Sequence, residues 1–171
     1  METADTGVLT TEVRDALAAL SRENQGVIFY ADSRAFIGLY RETILKCNDA
    51  EATTLVFGHK LDFDEDIVAQ CLAALRRRCG RDVFVTCNRH GVMTTTGGES
   101  VRVPARIQTG YIDVCGAGDA CTAGIVSALC AGADNTEAAY FGNLTAGVTV
   151  RKIGETGTAL SDELRSIRME S

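Results

Sequence analysis

Apolar positions along this chain recur in two alternating rhythms. Thr10 precedes a stripe, Val13, Ala16, Leu17 and Leu20, with the i, i+3, i+4, i+7 spacing of one helix face. Gly26 closes that segment, and the unbroken run Val27-Ile28-Phe29-Tyr30-Ala31 predicts a buried strand. The same succession then returns. A short apolar stretch within Tyr40 to Lys46 leads to Asn48, and Asp64-Glu65-Asp66 opens a helix that turns Ile67, Cys71, Leu72 and Leu75 inward. Arg76-Arg77-Arg78 and Gly80 end that helix, and Asp82 to Thr86 reads as a second buried strand. Val92 to Thr95 and Val101 to Val103 flank Gly97-Gly98 as a hairpin. Beyond it, Ala120 to Ala131 predicts a buried helix ended by Gly132. A further helix runs from about Asp134 with Ala138, Phe141, Leu144 and Val148 on one stripe, and a short amphipathic helix lies between Ser161 and Ser171. Helix, glycine, apolar strand is the grammar of an α/β fold with a mostly parallel sheet. Asp32-Ser33-Arg34 falls just past a strand's carboxyl end, where open α/β sheets place their ligands.

Composition narrows the function classes. The 171 residues suffice for one domain with a full core and are too few for two. A net charge of −6 argues against binding nucleic-acid backbones, and the arginine triplet is explained by the dipole of the helix it closes. The longest apolar run, Ala123 to Ala133, is shorter than the ~20 residues of a membrane span, and Met1 to Leu9 does not resemble a secretory signal. Seven cysteines, odd in number and without a C-x-x-C pair, predict reduced, buried thiols in a cytoplasmic protein. With only His59 and His90 to help, a zinc cage is not expected.

The chemistry concentrates in Asp113-Val114-Cys115-Gly116-Ala117-Gly118-Asp119, directly before the small-residue helix. Glycines permit a tight turn, and the first turn of the helix offers unpaired N–H donors together with the positive end of its dipole. Asp119 would repel a phosphate there unless the reaction needs a base. Phosphoryl transfer to a hydroxyl is such a reaction, since donors hold the migrating charge while the carboxylate takes the alcohol proton. Read from the residues alone, Asp119 is equally well a first-turn acid that complements the dipole. Two nucleotide motifs are excluded. Cys121 occupies the third glycine position of a Rossmann fingerprint, and no lysine follows the glycines as a P-loop requires.

Asp113-x-x-Gly116-Ala117-Gly118-Asp119 resembles the D-x-x-G-A-G-D signature of the ribokinase-like (PfkB) family of sugar kinases. The resemblance implies that Asp119 is the catalytic base and that Gly116, Ala117 and Gly118 form the anion hole. Other motifs follow in family order from about Asp5 to Thr158. Asn48-Asp49-Ala50-Glu51 is similar to the family's N-x-x-E, which implies Asn48 near nucleotide phosphates and Glu51 holding magnesium through water. The same two residues also suit a capping box. Thr86 and Gly91 match a T-x-G-x-x-G loop beside the nucleotide, while Asn88 replaces its first glycine, a departure that resembles heptose-kinase-like members. Asn143 falls on the helix that borders the family's adenine pocket, and Arg151-Lys152-Ile153-Gly154 resembles a loop that in some members helps bind a monovalent cation.

What the resemblance implies is a three-layer ribokinase-like fold with a mostly parallel central sheet, lacking its N-terminal part and lid. Residues 1–171 would be the C-terminal nucleotide-binding and catalytic portion of a kinase domain that uses ATP and Mg2+ to phosphorylate a sugar or sugar phosphate. The alternative is a truncated, non-catalytic nucleotide-binding or assembly module. Without lid and sugar grip, the isolated chain is expected to bind ATP–magnesium weakly and to turn over no sugar appreciably. An exposed strand edge favours a homo-oligomer or a partner that supplies the missing N-terminal segment.

Overall fold

The computed structural model describes residues 7–106, 108, 110–154 and 159–169, so Asp5 and Thr158, the ends of the stretch of resemblance, lie outside the described residues. The chain divides into two compact units, Met1–Val85 with Thr95–Ser100, and Thr86–Thr94 with Val101–Ser171. Its five strands are β1 (Tyr30–Asp32), β2 (Ile44–Asn48), β3 (Val83–Thr86), β4 (Val92–Thr96) and β5 (Glu99–Val103). They follow one another in a mixed, mostly parallel sheet of order β1-β2-β3-β4-β5. The predicted hairpin is the β4–β5 pair, with Gly97 and Gly98 at its turn.

In the first unit, α1 (Thr11–Glu23), α2 (Asp49–Phe57) and α3 (Glu65–Cys79) accompany β1 to β3. The α3 boundaries follow local chemistry. The Asp64 carboxylate accepts the Ile67 N–H at 3.0 Å, and Gly80 adopts the left-handed φ of +79° that ends the helix. Val68, Cys71, Leu72 and Leu75 of α3 are buried with Leu45, Cys47, Val83, Phe84 and Val85. Each large apolar side chain removed from water there contributes roughly 1.5–3 kcal/mol. β1 and β2 run parallel with Asp32 opposite Lys46, whose ammonium meets the Asp32 carboxylate at 2.9 Å. That ion pair neutralises a lysine side chain that is only 7% exposed.

Two sequence expectations fail at the start of this unit. The first strand is Tyr30–Asp32 rather than 27–31. The Val27 N–H donates to the Asn24 carbonyl in a turn, and only at Phe29 does the chain meet β2, so Val27 is 58% exposed. The helix α1 forms as predicted, with the Thr10 hydroxyl accepting the Val13 N–H at 3.4 Å. Its buried residues, however, are Arg14, Ala18 and Ser21, while Val13 and Leu20 are exposed. The Ser21 hydroxyl donates to the Glu42 carbonyl, which fixes this rotation, and Arg14 is satisfied by the Leu9 carbonyl and the Thr11 hydroxyl.

The second unit is built on α4 (Ala117–Cys130), α5 (Asn135–Thr149) and α6 (Ser161–Met169). The first two helices touch through small residues. A methyl group placed on Gly142 of α5 would stand 2.7 Å from Ile125 Cγ1 and 3.0 Å from Cys121 Sγ of α4. The Thr145 hydroxyl of α5 lies 2.9 Å from the Ala120 carbonyl and locks the pair at the start of α4. Asp134 and Glu137 form a capping box at the start of α5. The amphipathic tail packs Ile167 of α6 on Leu144 and Val148, and Lys152 bonds Glu163 at 2.9 Å.

The cysteines are all free. Five are buried, while Cys115 and Cys130 are exposed, in the loop before α4 and at its last residue. Among the described residues no helix is long and apolar enough to cross a membrane.

Candidate functional site

Helix α4 begins three residues before the predicted Ala120, so Ala117, Gly118 and Asp119 form its first turn. Gly116 is its N-cap at φ +75°, a left-handed conformation with no side chain to bond the helix end. The Ala117 N–H is taken by the Val114 carbonyl at 3.2 Å and the Ala120 N–H by Gly116 at 2.9 Å. The N–H groups of Gly118 and Asp119 have no carbonyl behind them within the helix, so two donors and the dipole face outward. Asp119 is exposed, and its carboxylate has no hydrogen-bond partner among the described residues. This is a turn that can receive an anion on its backbone with a free carboxylate beside it.

Asp113 shapes the loop that feeds this turn. Its carboxylate accepts the Cys115 N–H and the Gly154 N–H, each at 3.0 Å, while its own N–H donates to the Val150 carbonyl at 2.8 Å. Those two backbone donors, Cys115 first, hold its pKa below the usual carboxylate range. The loop before α4 is thereby tied to the turn after α5. Sequence reading placed Asp113 in the motif without a role, and its fixed distance from Asp119 was the only available sign of one.

The Thr86–Gly91 loop belongs to the same unit. β3 ends at Thr86, and the Cys87 N–H donates to the Gly91 carbonyl at 2.7 Å across a single 3-10 turn, Asn88–His90. Asn88 sits at φ +49°, a left-handed position that asparagine tolerates better than most residues. That explains how it replaces a motif glycine. Gly91 has no such latitude, because a methyl group there would collide with the Val103 carbonyl oxygen and the Ala105 nitrogen. His90, the last residue of that turn, is half-buried. Asn143 of α5 donates its amide to the Val103 carbonyl at 2.9 Å. It borders a cavity of about 20 Å³ with Tyr140, Leu144 and Gly147.

Asn48 and Glu51 lie in the first unit, at the end of β2 and the start of α2. The Glu51 N–H donates to Asn48 Oδ1 and the Asn48 N–H to Glu51 Oε2, both at 2.8 Å, a complete capping box. One Glu51 carboxylate oxygen therefore remains for other work. Both residues line an open cavity of about 470 Å³ at the carboxyl ends of β1 and β2, with Arg34 and Lys60 on its wall. The size and the available oxygen fit a phosphate-bearing ligand with a divalent ion. Among the described residues no three His, Cys, Asp or Glu gather as a metal cage, so such an ion would keep most of its waters. Cys47, next to Asn48, is no nucleophile: burial and then the Glu51 carboxylate push its thiol up. Arg34 was anticipated only by its place after a strand. Lys60 follows a helix on an irregular segment and gave no sequence sign.

The sequence profile described as pfkB family carbohydrate kinase matches residues 10–162. Among curated proteins, the bifunctional protein HldE of Rhodospirillum rubrum is 32% identical over 96% of this chain, and that of Nitratiruptor sp. 33% identical over 96%. The chain spans about a third of the length of these relatives (33% and 35%). Among solved structures, adenosine kinase from Sinorhizobium meliloti superposes with a TM-score of 0.68 at 25% identity, covering 93% of this chain and 50% of that one. Phosphofructokinase-2 from Escherichia coli in complex with potassium gives 0.77 at 18% identity, covering 94% and 52%, and so shares the fold.

Proposed function

Because the chain belongs to the pfkB family of carbohydrate kinases, we propose that it carries the catalytic and nucleotide-binding portion of an ATP-dependent kinase acting on a sugar or sugar-phosphate hydroxyl. The observation that carries this reading is the uncapped first turn of α4, with two free N–H donors and the exposed, unbonded carboxylate of Asp119. In the reaction the acceptor hydroxyl oxygen bonds to the γ-phosphorus, the bond to the bridging oxygen breaks, and ADP leaves. Asp119 takes the hydroxyl proton, and the Gly116–Gly118 turn stabilises the charge on the moving phosphoryl group. In the first unit Asn48 would contact nucleotide phosphates, and in the second Thr86, Asn88, Gly91 and Asn143 would be nucleotide contacts. Glu51 would hold magnesium through water, and the ion would neutralise charge on the phosphates.

Asn88 at the glycine position points to the heptose-kinase-like branch, and kinship to the HldE proteins agrees with it. The 151–154 turn is where a monovalent cation would bind. A cytoplasmic location agrees with the free thiols.

A second reading, a non-catalytic assembly module, draws on the terminal position of β1 in the sheet and the exposed Val13, Leu20 and Val27. A coupled ADP-release assay over a panel of sugars and sugar phosphates, heptose phosphates included, separates the two. It should be run on the longest form of the protein in which the chain occurs, with light scattering in parallel. Turnover establishes the kinase. ATP binding with self-association and no turnover of any acceptor establishes the module.

A further inference from the structure

The cavity at the carboxyl ends of β1 and β2 carries two cations, Arg34 and Lys60, that pair with no acidic group among the described residues. Local bonds set each of them in place. After β1 the Ser33 hydroxyl accepts the Phe36 N–H at 3.2 Å, which turns the chain and puts Arg34 at the lip. Past α2 the Leu61 N–H donates to the Thr53 hydroxyl at 3.2 Å, drawing the segment that holds Lys60 back along the helix. The intervening wall is apolar and close: Ile37 is buried, and a methyl group on Gly38 would stand 2.8 Å from Leu55 Cδ2.

The backbone at the start of α2 offers an anion little. The Glu51 N–H is taken by Asn48 and the Ala50 N–H by the Asp49 carboxylate at 2.9 Å, so two of the three first-turn donors of α2 are already bonded. Positive charge in this cavity comes chiefly from the side chains of Arg34 and Lys60. The same cavity is lined by Glu51, whose carboxylate repels a bare phosphate unless a divalent ion lies between. Two unpaired cations and one carboxylate lining a cavity of about 470 Å³ suit a metal-bridged phosphate on a small molecule.

We propose that Arg34 and Lys60 are binding residues that clamp the phosphate groups of the ligand entering this cavity, Arg34 by its planar fork and Lys60 as a point charge. The proposal rests on the kinase reading for the identity of the ligand, a nucleotide polyphosphate or a sugar phosphate, but not for its chemistry.

Calorimetry on the purified chain tests it, with ATP, tripolyphosphate, sedoheptulose 7-phosphate and adenosine, each with and without magnesium. Arg34→Gln and Lys60→Gln are each expected to weaken the phosphate ligands by about tenfold or more, with Arg34→Lys recovering only part of the loss. Adenosine affinity and melting temperature should not move. Arg77→Gln, on the exposed last turn of α3, controls for net charge and should change affinity less than about twofold. If ATP fails to bind while the sugar phosphate binds and the variants weaken it, the clamp stands and the nucleotide assignment of this cavity falls. If ATP binds and the variants leave it unchanged, or weaken it no more than Arg77→Gln does, the clamp falls and the nucleotide reading stands. A chain that binds none of the phosphate ligands overturns both.

Discussion

Two helix N-termini in this molecule start from the same physics and end in opposite states. At α2, Asn48 and Asp49 bond the first-turn donors of Glu51 and Ala50, Glu51 bonds the N–H of the cap, and the helix end is largely closed by its own sequence. At α4 the cap is Gly116, which has no side chain, and the donors of Gly118 and Asp119 remain open. A closed end stabilises the fold and leaves recognition to neighbouring side chains. An open end costs the stability a cap would contribute, about 1 kcal/mol, and keeps backbone donors for a ligand. The contrast shows that an Asp or Glu in a first turn has no fixed meaning. Glu51 reaches back to bond its own cap, whereas Asp119 reaches nothing.

This comparison can be broken most directly at Asp119. Asp119→Asn is expected to lower phosphoryl transfer by about 10²–10⁴-fold with little change in melting temperature, because its carboxylate bonds nothing in the fold. Steady-state ADP release and a thermal melt on the same sample check this; an unchanged rate removes Asp119 from catalysis. Next in size is Gly142→Val, which pushes α5 off α4 and should cost roughly 3 kcal/mol by overpacking. Denaturant unfolding measures the loss, and a neutral result would mean the contact with Ile125 is not tight. Asn48→Ala should cost about 1 kcal/mol through the lost cap, while Glu51→Gln, which can keep the box, should cost less. Equal melting temperatures for Asn48→Ala and wild type would show that the α2 end is not closed in solution.

The smallest effect sharpens the comparison at the α4 loop. Backbone donors hold Asp113 below the usual carboxylate range, and the Leu160 N–H followed by Lys152 does the same for Glu163. A depressed folded pKa contributes stability that is present above the unfolded pKa and lost as pH falls through the folded one. Melting temperature should therefore decline as pH drops below about 4, and less steeply in Asp113→Asn. Identical pH profiles would detach Asp113 from the loop.

The fold was legible wherever periodicity and punctuation agreed. The capped helix from Asp64 to Gly80, the strand ending at Thr86, the hairpin at Gly97-Gly98 and the helix after Asp134 all stand where their residues place them. The α1 stripe was misread because apolar spacing shows that a helix has a face, not which face its neighbours cover. In the site, the Asn48–Glu51 box was readable because its partners lie three residues apart, and a local bond needs no tertiary information.

By itself, then, the sequence determined the elements, the local caps and the motif order that places the chain among the pfkB kinases, since these depend on contacts a few residues apart. Tertiary structure alone decided the rest. It set the rotation of α1, the contact of Gly142 with α4, the tie from Asp113 to Gly154, and the meeting of Arg34 with Lys60 across one cavity. Each of these joins positions whose separation along the chain carries no periodicity, and only the packed fold makes them neighbours.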